Sequence, residues 1–366
     1  MTRSFELRLR ATLFAIAGVT LVVGIFSGLS RLQIDIVGFT SHLAVFHGPV
    51  LVSLFFGTVI GLERAVAIQT PMAYMAPITN AAAALSLIVL EWDTTAAVLS
   101  TVAAFLLTAV SLRLLQKVKA DFVIVLAIAA GCWVIGGAVW LLTGDPGRAT
   151  LLWFSFLVIT IAGERLELTR FVPLTTSVRR GFYALLGVIV IGSIGSIFQP
   201  EQAAIVFSIG LAGLGGWLIA HDIARRNLRS QGITRYIAIC LLSGYGWLVV
   251  AGLFGLFGAF PNGHLLRDSA IHTLGLGFVM AMVFGHALIV LPAVAKLRVP
   301  YHPMFYAPLI LLHGSLLLRI MGRLLDKMSL QQTGGIMNAV TFIVFAVIVI
   351  QQIRQGGTAP SASARP

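Results

Sequence analysis

Histidine is the residue type in this sequence with the clearest capacity for chemistry. The chain has eight histidines, and several of them lie inside long apolar stretches. His42 and His47 lie near the start of one such stretch, His272 lies near the start of another, and His313 lies about midway along a third. An ionisable side chain inside a stretch that crosses a membrane is costly and is therefore a candidate for function. Neutral imidazole is also a common metal ligand.

The spacing of the histidines limits which of them could share one metal ion. A helix rises about 1.5 Å and turns about 100° per residue. His272 and His286 are therefore roughly 21 Å apart along one helix, and His42 and His47 point roughly 140° away from each other. His47 and His272 instead enter from two helices at a similar depth. Their imidazoles could hold a haem iron from both faces of the macrocycle.

Small residues flank the two predicted ligands. Gly48 follows His47, and Gly275 and Gly277 follow His272. Glycines beside a ligand let a flat macrocycle approach the helix backbone, although small residues also serve helix packing in membranes generally. We predict that these five residues bind a cofactor. For any single histidine the alternative is a hydrogen bond to a neighbouring carbonyl.

The composition indicates the elements that must position these residues. The chain has 366 residues, of which 58% are hydrophobic and 10% are charged, against about 25% charged in soluble domains. This composition excludes a soluble enzyme and a disordered chain. The net charge of +12 does not indicate a nucleic-acid-binding protein, because the basic residues lie in short connections between apolar stretches. We predict an all-α, polytopic transmembrane bundle of about twelve spans, near residues 11–30, 41–62, 75–92, 95–112, 121–142, 149–163, 181–198, 201–220, 234–258, 269–292, 303–322 and 334–352.

The distribution of basic residues predicts the orientation of the bundle. With the N-terminus inside, the inner segments hold about 19 of the 25 lysines and arginines, as the positive-inside rule requires. We therefore expect a multi-pass protein of the bacterial cytoplasmic (inner) membrane with both termini cytoplasmic. Residues 1–353 form a single transmembrane bundle domain in this interpretation, and residues 354–366, rich in Gly, Ser, Ala and Pro, form a disordered tail.

A Glu-Arg pair recurs at two predicted inner helix ends. It stands in Gly61-Leu62-Glu63-Arg64 and again in Gly163-Glu164-Arg165. Duplicated halves are common in transporters, but helix ends also favour charged side chains that reach the interface. The match is too short to support an internal repeat.

Two motifs resemble those of the NnrS family, whose members are twelve-span haem- and copper-containing membrane proteins associated with nitric oxide stress. Their ligand layout is similar to that of the haem–copper oxidase catalytic subunit. The resemblance covers about thirty residues closely. The second predicted span matches the family motif at His47, Gly57, Val59 and Ile60, and the tenth matches at His272, Leu274, Gly277, Met282 and Gly285.

The resemblance implies haem b as a cofactor, with copper as a second metal. Pro49 and Val50 stand where the family has its second histidine and its glutamate, and the sixth and seventh spans contain no histidine. A copper site would have to be assembled from residues such as His42 and His313, and two ligands seldom hold copper securely. The haem expectation survives these departures better than the copper expectation.

Two functions of different class follow from the sequence. The first is an NnrS-like integral membrane haem, or haem–copper, protein that binds nitric oxide or a related small gas through two imidazoles or one. Reduction of the gas, as in a nitric oxide reductase-like oxidoreductase, would need an unidentified electron donor. The alternative is a secondary transporter or channel for a small molecule or ion, which is favoured by the twelve spans and by the helix-breaking Pro49 and Pro292.

Overall fold

A computed structural model describes residues 3–36, 41–168 and 174–356. These ranges are helical and contain no strand. The prediction of an all-α bundle with twelve spans is confirmed, and the chain is a multi-pass membrane protein. The twelve helices long and apolar enough to cross a membrane, labelled α1 to α12 in chain order, are Ser4–Arg31, Pro49–Ile68, Pro71–Leu90, Asp93–Lys117, Asp121–Thr143, Pro146–Leu168, Thr176–Gly195, Pro200–His221, Gly232–Leu256, Arg267–Ala295, Pro303–Leu324 and Met328–Gly356.

Proline and left-handed residues mark many of the span boundaries. Five spans, α2, α3, α6, α8 and α11, begin at a proline, whose fixed φ suits the first helical position and whose missing N–H needs no partner there. Gln69, Glu91 and Gly144 follow α2, α3 and α5 with φ of 57°, 54° and 67°. A residue in this conformation ends a helix while its N–H still bonds a carbonyl of the last turn.

Two predicted boundaries differ from the structure. The predicted span over residues 41–62 is interrupted, because a short helix, Ser41–Val45, ends at a turn before α2 begins at Pro49. Pro49 has no N–H to continue a helical ladder through this point, so His42 lies in the short helix rather than in the span. The last helix reaches Gly356, three residues past the predicted domain boundary, and residues 357–366 of the predicted tail lie outside the described residues.

Two spans contain π-helical segments, Pro49–Phe55 in α2 and Thr273–Met280 in α10. Such wide turns are frequent at functional sites, but they weaken the regular hydrogen bonding that a bilayer demands. Asn80 of α3 compensates in α2, where its Nδ2 donates to the carbonyls of Ser53 and Leu54 at 3.1 and 2.9 Å. The Ser53 hydroxyl accepts the indole N–H of Trp133 at 2.8 Å.

The two π-containing helices lie at the centre of the bundle. Most spans pack against their neighbours in the chain, whereas α10 contacts α1, α2, α6, α9 and α11. The π segment of α2 likewise contacts α1, α3 and α6. The outer surface is apolar, with exposed side chains such as Phe105, Leu142 and Ile310, which suits contact with lipid rather than water. Polar groups in the interior next to α2 and α10 must therefore find their partners within the protein.

Candidate functional site

His47 and His272 come together in the interior of the bundle, as predicted. His47 lies two residues before the π segment that begins at Pro49, and His272 lies immediately before the one that begins at Thr273. Their ring centroids are 6.0 Å apart and their planes differ by 15°. Metal–imidazole bonds are about 2 Å long, so two imidazoles on opposite sides of one ion have ring centroids roughly 6 Å apart. The centroid separation of this stacked pair is therefore of the size that one intervening ion requires.

Hydrogen bonds fix which nitrogen of each ring is free. The Nδ1 of His47 bonds the carbonyl of Gly24 in α1 at 2.8 Å, and the Nδ1 of His272 bonds the carbonyl of Asp268 at 2.8 Å. A carbonyl only accepts, so Nδ1 carries the proton in both rings and Nε2 keeps its lone pair. Neither Nε2 bonds a described residue. Both imidazoles are thus held in the tautomer that a metal ligand needs.

A partly buried ion pair lies next to His272, on the side of its Nδ1. Arg319 of α11 donates two hydrogen bonds to the carboxylate of Asp268, at 2.8 and 2.7 Å. The same carboxylate lies 3.2 Å from the Nδ1 of His272. A carboxylate next to the N–H of a ligating histidine fixes the ring and makes its free nitrogen a stronger donor to a metal. Neither Asp268 nor Arg319 was predicted, although Asp268 lies one helical turn before His272 in the sequence.

Glycines make room for the pair, but they are only partly those expected. A Cβ on Gly28 of α1 would lie 2.6 Å from the Cε1 of His47, so the ring occupies space that any other residue type would fill. Gly48 and Gly275 line the cavity beside the histidines. Gly277 does not line it in the described structure and packs on Trp247, since a Cβ there would lie 2.6 Å from the indole Cγ. Gly28 carried no sequence signal.

The two imidazoles line a cavity of about 620 Å³, here called the histidine cavity. Its volume lies in the range of small-molecule and cofactor sites. Apolar residues form most of its wall, among them the aromatic side chains of Phe55, Phe56, Trp153, Phe154 and Phe342. It lies toward the end of the bundle where α2, α6 and α10 begin, because its wall also includes residues of those termini such as Gly147 and Arg267.

Four arginines make this end of the cavity cationic: Arg31, Arg267, Arg319 and Arg323. Arg319 is paired with Asp268. The other three bond neutral oxygens, such as the Leu265 carbonyl, which lies 2.6 Å from the Nε of Arg323. A guanidinium has five N–H donors, so donors are left for an acidic ligand. Carboxylate or phosphate groups are the partners that arginine binds best.

The two other predicted metal ligands do not join the pair. His42 bonds Asp93 through Nε2 at 2.9 Å. His313 accepts the indole N–H of Trp247 on Nδ1 at 2.9 Å, which places its proton on Nε2, and that nitrogen bonds Ser243 at 3.1 Å. Both nitrogens of His313 are thus occupied. Among the described residues, no group of three or more His, Cys, Asp or Glu side chains could hold a metal ion.

The recurring Glu-Arg pairs meet each other in the structure. Arg64 of α2 donates to Glu164 of α6 at 2.6 Å, so an arginine from one pair binds the glutamate from the other. Arg165 is buried nearby in the chain, with 6% of its surface exposed. The pairs therefore form an interhelical contact at the ends of two spans, as expected for charges at helix ends.

Comparison with known proteins assigns the chain to a family. The family described as Domain of unknown function (DUF8744) matches residues 10–354, which cover all twelve spans apart from the first few residues of α1 and the last two of α12. The chain belongs to this family. No curated protein matches the sequence.

Replacing Arg319 by methionine should destabilise the bundle. The change leaves the Asp268 carboxylate without its bidentate partner, and we expect a loss of about 2–3 kcal/mol, as for other charged groups left unpaired in a protein interior. The measurement is unfolding of the detergent-solubilised protein. Asp268→Asn in the Arg319→Met background should restore part of the loss, since the unpaired charge is then gone. Equal stability of the single variant and the wild type would contradict the importance of this pair.

Proposed function

We propose that the chain is an integral membrane haem protein in which His47 and His272 are the two axial ligands of haem b. The observation that supports the proposal best is the pair of imidazoles, 6.0 Å apart between ring centroids, each with Nδ1 bonded to a carbonyl and Nε2 free. When bound, haem would supply reversible gas binding and one-electron chemistry.

The residues around the pair fit this cofactor. The histidine cavity, about 620 Å³ in volume, is walled by aromatic rings suited to an apolar macrocycle. Gly28 and Gly48 keep space open beside His47. The arginines at one end suit the two propionate groups. Copper is not part of the proposal, because His313 has both ring nitrogens engaged.

Removing either axial histidine should change the haem spectrum. We expect the wild-type protein to show a Soret band and a low-spin, six-coordinate spectrum after purification or haem reconstitution. His47→Ala and His272→Ala should each lose six-coordination, because only one imidazole remains. His286→Ala is the matched control. His286 lies in the same span as His272, and its Nδ1 likewise bonds the carbonyl four residues earlier, at 2.7 Å.

Two outcomes would contradict the proposed haem site. One is wild-type protein that is folded and monodisperse but takes up no haem. The other is a haem spectrum that changes equally in His286→Ala and in the two axial variants, because that would indicate general disturbance of the bundle.

The space at Gly28 provides a second test. Gly28→Ala would place a methyl group 2.6 Å from the His47 ring, so the imidazole must move away from its axial position. We expect at least a tenfold lower haem affinity, about 1.4 kcal/mol or more, since a displaced ligand weakens coordination. Gly18→Ala is the control in the same helix, because a Cβ there meets no atom within 4 Å. Equal haem affinities of the two variants would count against His47 as a ligand.

We propose nitric oxide or a related small gas as the molecule that this centre binds. The similarity of the motifs at His47 and His272 to those of the NnrS family supports this choice. A gas can bind a six-coordinate centre only after one imidazole leaves. His272 is held within its own helix by Asp268, through both the carbonyl and the carboxylate, whereas His47 depends on one carbonyl of another helix, that of Gly24. In this proposal, His47 would be the imidazole that the gas displaces.

Gas binding should consequently respond differently to the two axial variants. In His47→Ala the leaving step is absent, so nitric oxide or carbon monoxide should bind at least tenfold faster than in the wild type. His272→Ala also leaves one position open and should gain in rate too, but its carbon monoxide complex should differ from that of the wild type, because the imidazole that normally stays is missing. Stopped-flow absorbance of the reduced protein measures both rates, and the absorbance spectrum compares the complexes. A wild-type complex that matches His272→Ala and differs from His47→Ala would reverse the assignment.

A transporter or channel is the second candidate, and a different measurement tests it. Its support is the pair of π-helical segments, Pro49–Phe55 and Thr273–Met280, since transporters commonly place irregular helices at their binding sites. The histidine cavity would then hold the substrate. Saturable uptake into vesicles by haem-free protein would favour this function over the haem protein.

We further propose that the histidine cavity faces the periplasm across the bacterial cytoplasmic membrane. The opposite end of the bundle has the connection between α8 and α9, which contains Arg225, Arg226 and Arg229, and the short connection between α4 and α5, which contains Lys119. The positive-inside rule places this end and both termini in the cytoplasm. Cysteine labelling of the connections in intact cells tests the orientation.

A further inference from the structure

Asn338 of α12 has an unpaired amide nitrogen beside the histidine cavity. It lines the cavity but is itself buried, with 6% of its surface exposed. Its Oδ1 accepts a hydrogen bond from the Ser315 hydroxyl of α11 at 2.6 Å. Its Nδ2 has no partner in the described part of the chain. Buried polar groups in proteins are almost always hydrogen-bonded, so an amide left unpaired beside a cavity points to a ligand.

The contact with Ser315 determines how the amide is presented. Ser315 has one hydroxyl proton, and its shorter contact is to the Asn338 oxygen rather than to the Leu312 carbonyl, at 2.6 against 3.1 Å. With the oxygen held by a donor, the two N–H groups are the free end of the side chain. The unpaired end of the side chain is therefore a hydrogen-bond donor.

Helix contacts place this amide at the depth of the axial histidine. Gly335 lies beside the Arg319 guanidinium, since a Cβ on Gly335 would lie 3.6 Å from its Nη1. The same guanidinium binds Asp268. Asn338 lies three residues past Gly335 and His272 lies four residues past Asp268, roughly 4.5 and 6 Å further along their own helices. The unpaired donor and the His272 imidazole are thus at similar depths along the cavity.

We propose that Asn338 is a specificity-determining residue of the histidine cavity, and that it donates a hydrogen bond to an oxygen atom of the molecule bound there. This inference rests on the proposed haem site. Two oxygens could be the acceptor, a carboxylate of the macrocycle or the oxygen of a diatomic gas on the iron. The rest of this wall of α12 is formed by Gly335, Ala339 and Phe342, so Asn338 supplies its polar contact.

The test compares Asn338→Leu, which removes the donors at similar volume, with the wild type. Gln352→Leu is the matched control, because Gln352 is a buried amide in the same helix, 4% exposed, and does not line the cavity. Haem affinity and midpoint potential report a carboxylate acceptor. The C–O stretching frequency of the reduced carbon monoxide complex reports an acceptor on the bound gas.

If the acceptor is a carboxylate, Asn338→Leu should bind haem about tenfold more weakly, as for a lost hydrogen bond to a charged group, and its midpoint potential should shift. Asn338→Asp should bind more weakly still, because two carboxylates would then repel each other. If the acceptor is the gas, haem affinity should stay unchanged and the C–O frequency should shift. Ser315→Ala should show a smaller change in the same quantity, because it removes the hydrogen bond that holds the Asn338 amide but leaves the amide itself in place.

The inference is overturned if the wild type binds haem and Asn338→Leu matches it in affinity, midpoint potential and C–O frequency. That result would leave the haem site itself intact. Failure of the wild type to bind haem would instead overturn the proposed function. If Asn338→Leu does not fold, Ser315→Ala is compared with the wild type instead. Unchanged haem affinity, midpoint potential and C–O frequency in that folded variant also overturn the inference.

Discussion

The site depends on one requirement of the bilayer, that the N–H of each buried imidazole must find an acceptor within the protein. For His47 this acceptor is the Gly24 carbonyl of another span, and for His272 it is a carbonyl of its own helix. Once each Nδ1 is bonded, only Nε2 can act as a ligand. The positions of α1, α2 and α10 therefore determine both the tautomer and the separation of the rings, and a shift between these helices would change both together.

The hydrogen bond to a carbonyl is not by itself a sign of function. His221 and His286 bond carbonyls four residues earlier, as His272 does, so this bond is an ordinary solution for a histidine in a buried helix. His272 differs because a second imidazole lies 6.0 Å away and because a carboxylate lies next to its N–H. His47 differs because its acceptor belongs to another helix. The convergence of these features makes the pair a candidate centre.

The sequence predicted the spans and the histidine pair, but not the residues that hold the pair. Apolar length and turn residues locate membrane helices well because the bilayer imposes both. The prediction that His47 and His272 meet followed from their similar depth in two helices. Gly28 and Asn338 could not be found in this way, because their roles depend on which faces of α1 and α12 meet the cavity. Gly277 was assigned to the cofactor from its spacing, and its contact with Trp247 shows that spacing alone does not distinguish packing from binding.

The charges around the cavity complement the neutral histidines. Two neutral imidazoles add no charge to a bound metal centre, so the electrostatic character of the site comes from its arginines and from Asp145 and Asp268. Asp268 is the partner of Arg319, and it lies beside His272, where it increases the electron donation of that ring. Arg31, Arg267 and Arg323 have no carboxylate partner within 4 Å in the described structure. In a medium of low dielectric constant these charges attract acidic groups strongly, so they favour an acidic ligand at that end of the cavity, while the free nitrogens of His47 and His272 remain available to the metal.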